Sequence, residues 1–446
     1  MTDPVEEPAV RRIAVIGSGV SGLTAAWVLA RDAEVTLFEA QSRFGGHAHT
    51  HRLPAHRGGG DTVGVDSGFI VHNDRTYPTL LRLFDELGIA TQESDMSMSV
   101  RCDGCGLEYA GAKGLRGLFA APRSLARPRY LRMLAEVTRF HRLARAELDR
   151  DAAEERTLGE FLTTTRFSRY FAAHFVVPLV AAVWSCPPDV ALDYPVRYLL
   201  AFLDHHGMLT VYGSPTWRTV TGGSARYVQA VTDRLHTVRG GVPVRAVTRT
   251  VAGVTVRDDA DRVEEFDAVV VATHPTQALA LIERPTRAET DILGALTYSV
   301  NHTVLHTDTS VLPTRAGARA SWNYRLPACD AHPDRVLVSY DLNRLQRLDA
   351  AVDRRFVVTL GDGGRVDPAA VVDTMVYEHP QYTSTFLAAQ HRLPELGDHR
   401  LVFAGAYHGW GFHEDGALSG YAAAERLGGR WSGPAPALRP SAEVRL

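Results

Sequence analysis

Arg11-Arg12-Ile13-Ala14-Val15-Ile16-Gly17-Ser18-Gly19-Val20-Ser21-Gly22 runs through Leu23-Thr24-Ala25-Ala26-Trp27-Val28-Leu29-Ala30 to Glu34-Val35-Thr36-Leu37-Phe38-Glu39, and the fold is read from this stretch. The apolar, β-branched run ending at Ile16 is the pattern of a strand buried on both faces of a parallel sheet. The glycines at 17, 19 and 22 then stand between that strand and an apolar helical run, the context in which Gly-x-Gly-x-x-Gly binds a dinucleotide. Gly17 permits a tight turn, and Gly19 lets the backbone around Ser18, Val20 and Ser21 approach a pyrophosphate. Gly22 lets the helix pack closely on the strand. The helix N-terminus contributes free N–H groups and its dipole. Glu39, 17 residues after Gly22, is placed to accept hydrogen bonds from ribose hydroxyls. Its charge would repel a 2′-phosphate, which disfavours NADP.

The whole chain has 446 residues, 45% hydrophobic and 22% charged, with a formal net charge of −3. That composition excludes a disordered, collagenous or disulfide-stapled chain and fits two or three globular units. The near balance of 48 basic and 51 acidic residues argues against a nucleic-acid binder. Four cysteines fit a reducing compartment. The acidic N-terminus has no apolar signal-like region and no run of 18 apolar residues occurs, so a cytoplasmic location is expected. Lys113 is the single lysine, so almost no chemistry can depend on a lysine amine.

Beyond Glu39 comes Ala40-Gln41-Ser42-Arg43-Phe44-Gly45-Gly46-His47-Ala48-His49-Thr50. A second glycine pair lets the chain lie close to an extended cofactor, with Arg43 suited to its pyrophosphate. With Asp66-Ser67-Gly68-Phe69 and Tyr77–Phe84, this resembles the flavin amine oxidase superfamily. The resemblance implies an α/β, Rossmann-like FAD-binding domain, discontinuous in sequence, with an inserted α+β substrate domain as in amine oxidases and protoporphyrinogen oxidase. Residues 1–75, 215–285 and 385–446 would form the FAD domain, and 76–214 and 286–384 the substrate domain. Helices are expected at Tyr77–Leu87, Leu131–Leu148, Leu158–Ala182 and Tyr194–His205. Strands are expected at Val242–Val247, Val254–Arg257, Phe266–Ala272, Thr303–Thr307, Arg335–Tyr340 and Phe356–Leu360. Gly222-Gly223-Ser224 resembles a second Gly-Gly segment of the superfamily, and Val244 is placed at the cofactor. The strand Arg400–Gly405 leads through Ala406 to a helix opening at Glu414-Asp415-Gly416, which by resemblance faces the flavin. A helix N-terminus there would stabilise the negative charge of reduced flavin. A loose tail is expected after about Trp431.

Trp410-Gly411-Phe412-His413, Asn343-Arg344-Leu345-Gln346 and Tyr377-Glu378-His379-Pro380 narrow the resemblance to FAD-binding oxidoreductases related to the N-terminal domain of plant cyclopropane fatty acid synthases. Departures from the amine-oxidising pattern are His47 after the glycine pair, Gly405-Ala406-Tyr407 in place of a glycine and an acid, and no lysine near Ser321-Trp322-Asn323-Tyr324. Tyr407, Trp410 and Phe412 would make an apolar wall suited to a hydrocarbon. The expected function is hydride transfer between flavin N5 and a carbon of an apolar, fatty-acyl substrate, by desaturation or double-bond isomerisation. The alternatives are an amine oxidase releasing hydrogen peroxide and a non-catalytic FAD-binding partner of a lipid methyltransferase. His413, His47 and His49 are the acid–base candidates, because imidazole exchanges protons near neutral pH; His205 and His206 rank behind them.

Two further features carry alternatives. Cys102-Asp103-Gly104-Cys105 has no second CxxC to complete a zinc site, so Asp-Gly reads as a hairpin turn and no metal is expected; a redox or metal role is the other reading. The stretch 121–145 holds seven arginines and one acid, with Leu131, Leu134, Val137 and Phe140 at helical spacing. It reads as a solvated helix face, or as a transient docking surface for anionic membrane lipid that would make the protein peripheral.

Overall fold

The computed structural model describes residues 11–56, 60–150, 156–209, 213–331 and 333–432. Strand β1 (Arg12–Ile16), helix α1 (Val20–Leu29) and strand β2 (Glu34–Glu39) form the expected βαβ unit. β3 (Thr237–Gly240), β4 (Ala268–Val271) and β5 (Leu401–Phe403) complete a parallel sheet in the order β3-β2-β1-β4-β5. Ala268–Val271 is buried at every position, as a strand covered on both faces must be. The covering helices are α1 and α2 (His413–Arg426), which approach very closely. A Cβ at Gly420 would lie 2.1 Å from the Ser21 carbonyl oxygen, and one at Gly416 would lie 2.6 Å from Val20. Glycine at both positions therefore brings the two helix starts together at the C-terminal edge of the sheet.

The expected strand Phe266–Ala272 is two elements. Val263–Phe266 closes an antiparallel meander with Val244–Arg249 and Val254–Asp258, and β4 begins two residues later. The break falls at Asp267, whose carboxylate accepts the Arg12 backbone N–H at 2.7 Å.

The expected helix Leu158–Ala182 is also broken. Leu158–Thr164 ends before Arg166, which adopts a left-handed φ of 56°. Ser168 caps a new start, Ala172–Val176 forms a π turn, and Val177–Trp184 continues from it. Pro178 has no N–H to give the His174 carbonyl one turn back, which widens the helix locally. That carbonyl instead accepts the Tyr109 hydroxyl at 2.8 Å.

A seven-stranded sheet forms the second layer, in the order Val371–Pro380, Tyr298–His306, Val357–Leu360, Val338–Asp341, Trp322–Leu326, Met98–Cys102, Leu107–Ala110. The last two strands are the hairpin read around Asp103-Gly104. They pair with Trp322–Leu326, so segments far apart in sequence share one sheet. Helix Pro78–Leu87 packs Leu80, Leu83 and Phe84 into the core of the parallel-sheet layer, beside α2.

In helix Pro128–Leu148 the buried stripe is Tyr130, Met133, Phe140 and Ala144, while Leu131 is exposed. Arg123, Arg139 and Arg145, read as surface charges, donate to the carbonyls of Gly106, Thr165 and Leu209. Trp431 is buried, with Nε1 donating to Glu86 at 2.7 Å; the tail beyond Ser432 lies outside the described residues. Among the described residues, no helix is long and apolar enough to cross a membrane.

Candidate active site

A cavity of about 860 Å³ opens at the C-terminal edge of the parallel sheet, where ligands of open α/β sheets bind. One part is lined by Gly17 to Ser21, Glu39, Ala40, Arg43, Gly46, Val244, Gly405 and Ala406, the expected cofactor residues. Gly17 makes its turn at φ +99, and a Cβ there would meet the Ala272 carbonyl at 2.6 Å. The Ser18 backbone N–H and hydroxyl donate to Glu39 Oε2 at 3.0 and 2.5 Å, while its hydroxyl oxygen accepts the Gly45 N–H at 3.0 Å. Ser18 thus ties the first glycine loop to both the acid and the second glycine pair.

Gly19 differs from its neighbours. Its φ of −62° suits any residue, and a Cβ built there would meet nothing within 4 Å. The protein's own packing gives no reason for glycine here, whereas a group lying in front of the helix start would give one. A dinucleotide pyrophosphate fits that open space, with the α1 N-terminus facing it. A Cβ at Gly46 would also sit 3.1 Å from the Gly19 Cα, so the two glycine loops close on one space. Arg43 lines the cavity, but Nη1 already donates to the carbonyls of Gly46 and Ala48 at 2.9 and 3.2 Å. Its evident work is to hold the second loop in shape.

Several expected site residues stand outside the cavity lining. Gly22 packs under the loop, where a Cβ would lie 1.9 Å from the Gly17 carbonyl, and Gly45 is held at φ +113. Glu414 accepts the Thr79 and Leu80 N–H groups at 3.0 Å and so caps helix Pro78–Leu87. Asp415 accepts the Phe412 N–H at 2.8 Å and caps α2 itself. Gly416 contacts Val20. The acidic pair at the start of α2 therefore shapes helix ends. Burial pushes the Asp415 carboxyl up to about 7.

The other part of the cavity is aromatic. Tyr407, Trp410 and Phe412 line it as expected, joined by Trp184, Trp322 and Tyr340. The Tyr407 hydroxyl and Trp410 Nε1 are buried without a hydrogen-bond partner among the described residues. His206 lies behind this wall, stacked on Phe202 at 4.1 Å. Lys113 is nearer to Ser321–Tyr324 than the sequence separation implies, because its amine donates to the Arg319 carbonyl, but it does not line the cavity.

Of the three candidate histidines, the cavity takes in His47 and His413. His47 Nε2 is buried and unpartnered among the described residues, and burial holds the ring well below the usual imidazole range. His413 stacks on Phe69 at 3.5 Å, its Nε2 lies 3.3 Å from the Tyr227 hydroxyl, and burial lowers it to about 3. Burial thus favours the neutral imidazole at both positions at pH 7. His49 points elsewhere: Nδ1 is 3.0 Å from the Tyr377 hydroxyl and its ring lies 4.1 Å from that of His51, tilted by 31°.

The reading of the sequence passed over a polar wall beside His47. His274 Nδ1 lies 2.6 Å from Glu378 Oε2, its ring stacks on Tyr298 at 4.6 Å, and His379 Nδ1 receives the Asn301 amide at 3.0 Å. His274, Tyr298, Glu378 and His379 all line the cavity. A signal for His274 was available: it follows β4 directly, at the sheet edge where ligands sit. Glu378 and His379 lie on a strand of the other sheet, and nothing in their spacing links them to residue 274.

Comparison with known proteins agrees with this geometry. Cyclohexylamine oxidase from Brevibacterium oxydans IH-35A superposes with a TM-score of 0.65 at 16% identity, covering 94% of this chain and 98% of that one. A putative protoporphyrinogen oxidase from Exiguobacterium sp. 255-15 gives 0.65 at 16%, with 94% and 99% covered. A CLA-producing fatty acid isomerase from P. acnes gives 0.64 at 16%, with 94% and 98% covered. No curated protein matches by sequence. The family model described as flavin containing amine oxidoreductase matches residues 20–428, nearly the whole of the chain described above. The chain therefore belongs to the flavin-containing amine oxidoreductases and is an FAD-dependent oxidoreductase.

Proposed function

We propose that this enzyme moves a hydride between FAD and a carbon of an apolar, fatty-acyl substrate, either desaturating it or shifting a double bond. The observation that carries the reading is the aromatic wall of Tyr407, Trp410, Phe412, Trp184, Trp322 and Tyr340, continuous with the dinucleotide space in one cavity. Such a wall excludes water and favours hydrocarbon. Bound FAD supplies the two-electron chemistry, and the protein supplies orientation and proton handling. In this reading 1–75, 215–285 and 385–446 carry the cofactor, and 76–214 and 286–384 the substrate. The resemblance to the cyclopropane fatty acid synthase-related branch supports an acyl chain, as does the fold shared with a fatty acid isomerase.

His274 takes or gives the proton, with Glu378 orienting its ring through the 2.6 Å contact. His47 and His413, held neutral by burial, position substrate and cofactor without adding charge to an apolar site. Glu378→Gln is expected to keep FAD and to lower kcat by about 100-fold, the low end of what general acid–base catalysis contributes, because His274 loses the carboxylate that orients it. Rapid-mixing kinetics with the flavin as reporter measures this directly.

A second reading, oxidation of an apolar amine with release of hydrogen peroxide, is favoured by the family match and by the shared fold with cyclohexylamine and putrescine oxidases. Glu378 would then face the substrate's ammonium group. Anaerobic mixing of the yellow protein with unsaturated fatty acids, phospholipids and hydrophobic amines separates the two. Bleaching by lipids, or lipid isomerisation seen by mass spectrometry without bleaching, supports the first reading. Bleaching by amines alone, with peroxide formed in air, replaces it with the second.

A further inference from the structure

We propose that Cys102, Cys105, His174 and Cys329 form a tetrahedral zinc site, closed and structural, on the far side of the helix that ends in the active-site wall. The four donors come from three separate segments: the hairpin turn, the π turn, and the loop after strand Trp322–Leu326. Their Sγ and Nε2 atoms all lie within 4.8 Å of one another. Cys102 Sγ to Cys329 Sγ is 3.7 Å, and Cys105 Sγ to His174 Nε2 is 3.7 Å. A tetrahedron with Zn–S bonds of about 2.3 Å has edges of about 3.8 Å. The spacing is therefore that of ligands around one ion. It is far too long for a disulfide, whose sulfurs lie about 2.05 Å apart, and all four cysteines of the chain are free thiols.

The surroundings of His174 point the same way. The residue is wholly buried, and Nδ1 lies 3.0 Å from the Tyr170 carbonyl. That contact places the ring proton on Nδ1 and leaves the Nε2 lone pair facing the sulfurs, the orientation in which a second-shell carbonyl sets a metal-binding histidine. The π turn made by Pro178 and the Tyr109 bond to the His174 carbonyl fix the backbone that carries it. The Tyr170 hydroxyl lies 3.7 Å from Cys105 Sγ, placed to donate to a thiolate. At Gly104 a Cβ would come within 3.0 Å of the Ala328 Cα, so the CxxC turn sits directly on the loop that bears Cys329.

Three thiolates and an imidazole in tetrahedral array select zinc over the oxygen-seeking cations, and four protein ligands leave no open position for catalysis. The ion would staple the edge of the seven-stranded sheet to helix Val177–Trp184, whose last residues, Ala182 to Trp184, line the cavity. The CxxC was read as a plain turn with no metal because its partners lie 69 and 224 residues beyond Cys105.

The test uses tag-free, full-length flavoprotein purified without chelators. Elemental analysis should find about one zinc per chain. A mercurial that modifies thiols should release that zinc to an indicator dye in the wild type, so the result does not depend on any variant folding. Cys105→Ser and Cys329→Ser should each lose most of the metal, and His51→Ala should keep it. Cobalt substitution should give tetrahedral d–d absorption at wavelengths beyond the flavin band. Substoichiometric metal with no zinc uptake by the reduced protein would overturn the proposal. So would a Cys102–Cys329 disulfide found by mass spectrometry, or zinc that survives both cysteine substitutions.

Discussion

Gly19→Asp should give a folded, colourless protein. Gly19 stands at the N-cap of α1 with φ −62° and ψ 173°, a conformation open to any L residue and the one an N-cap aspartate adopts. Nothing lies within 4 Å of its Cβ position, so the side chain meets no protein atom there. Aspartate caps a helix at least as well as glycine, and its charge is favourable at the positive end of the dipole. The apo fold should therefore melt at the wild-type apo temperature or slightly above it. The cofactor meets the opposite situation, because the carboxylate fills and charges the space required by a pyrophosphate. FAD affinity should fall by at least about 100-fold, or about 2.7 kcal/mol. Flavin absorbance after purification and titration of apoprotein with FAD measure the loss, and melting the two apo forms controls for folding. Gly22→Ala is the contrast. Its Cβ would lie 1.9 Å from the Gly17 carbonyl, so that variant should lose stability as well as flavin. If Gly19→Asp retains full FAD, the pyrophosphate lies elsewhere.

The two glycines also show what could be read from sequence. A βαβ unit is local: strand, turn, helix and acid lie within 28 residues from Arg12 to Glu39, and each residue's task follows from its place in the unit. The aromatic wall was legible for a similar reason, since Tyr407, Trp410 and Phe412 sit in one loop before α2. Glu414 marks the limit of a local reading, because an acid in a first helical turn can face a cofactor or cap a neighbouring helix. Only the position of Thr79 and Leu80, 335 and 334 residues away in sequence, decides between them. The His274–Glu378 pair and the Cys102, Cys105, His174, Cys329 cluster were invisible on the same ground. The pair joins the edge of one sheet to a strand of the other, and the cluster joins two neighbouring strands of one sheet to a helix, so each forms only in the tertiary fold; periodicity carries no information about which strand edge will face which loop.

Acidification should begin to destabilise this protein well above the pH at which most carboxylates titrate. Burial holds His72, His206 and His306 at about 4, against 6.5 in an unfolded chain. A group lowered on folding contributes stability that is present above pH 6.5 and lost as the pH falls toward 4, because the unfolded chain takes up the proton first. At pH 5 each such imidazole costs about 2 kcal/mol, and the three together cost about 6. Asp66 and Asp415 act in the opposite direction. Burial raises them to about 6 and about 7, so their contribution is present below pH 3.8 and lost as the pH rises through those values. Between pH 7.5 and pH 5 they offset about 4 kcal/mol. The cleft histidines settle the sign: His379 at about 4 and His413 at about 3 titrate as His72 does and add up to about 2 kcal/mol each. The melting temperature should therefore be highest near neutrality and fall by about 6 °C by pH 5, the net loss being shared over the large unfolding entropy of a 446-residue chain. His72 gives the sharpest check. It is fully buried with neither ring nitrogen partnered among the described residues, and it packs against Phe84 at 5.3 Å and Phe69 at 6.3 Å. His72→Phe keeps a ring in that aromatic cluster and removes the titration. It should restore about 2 kcal/mol at pH 5 beyond any gain at pH 7.5. A variant whose pH profile merely parallels the wild type would show that His72 is not one of the groups that drive acid unfolding.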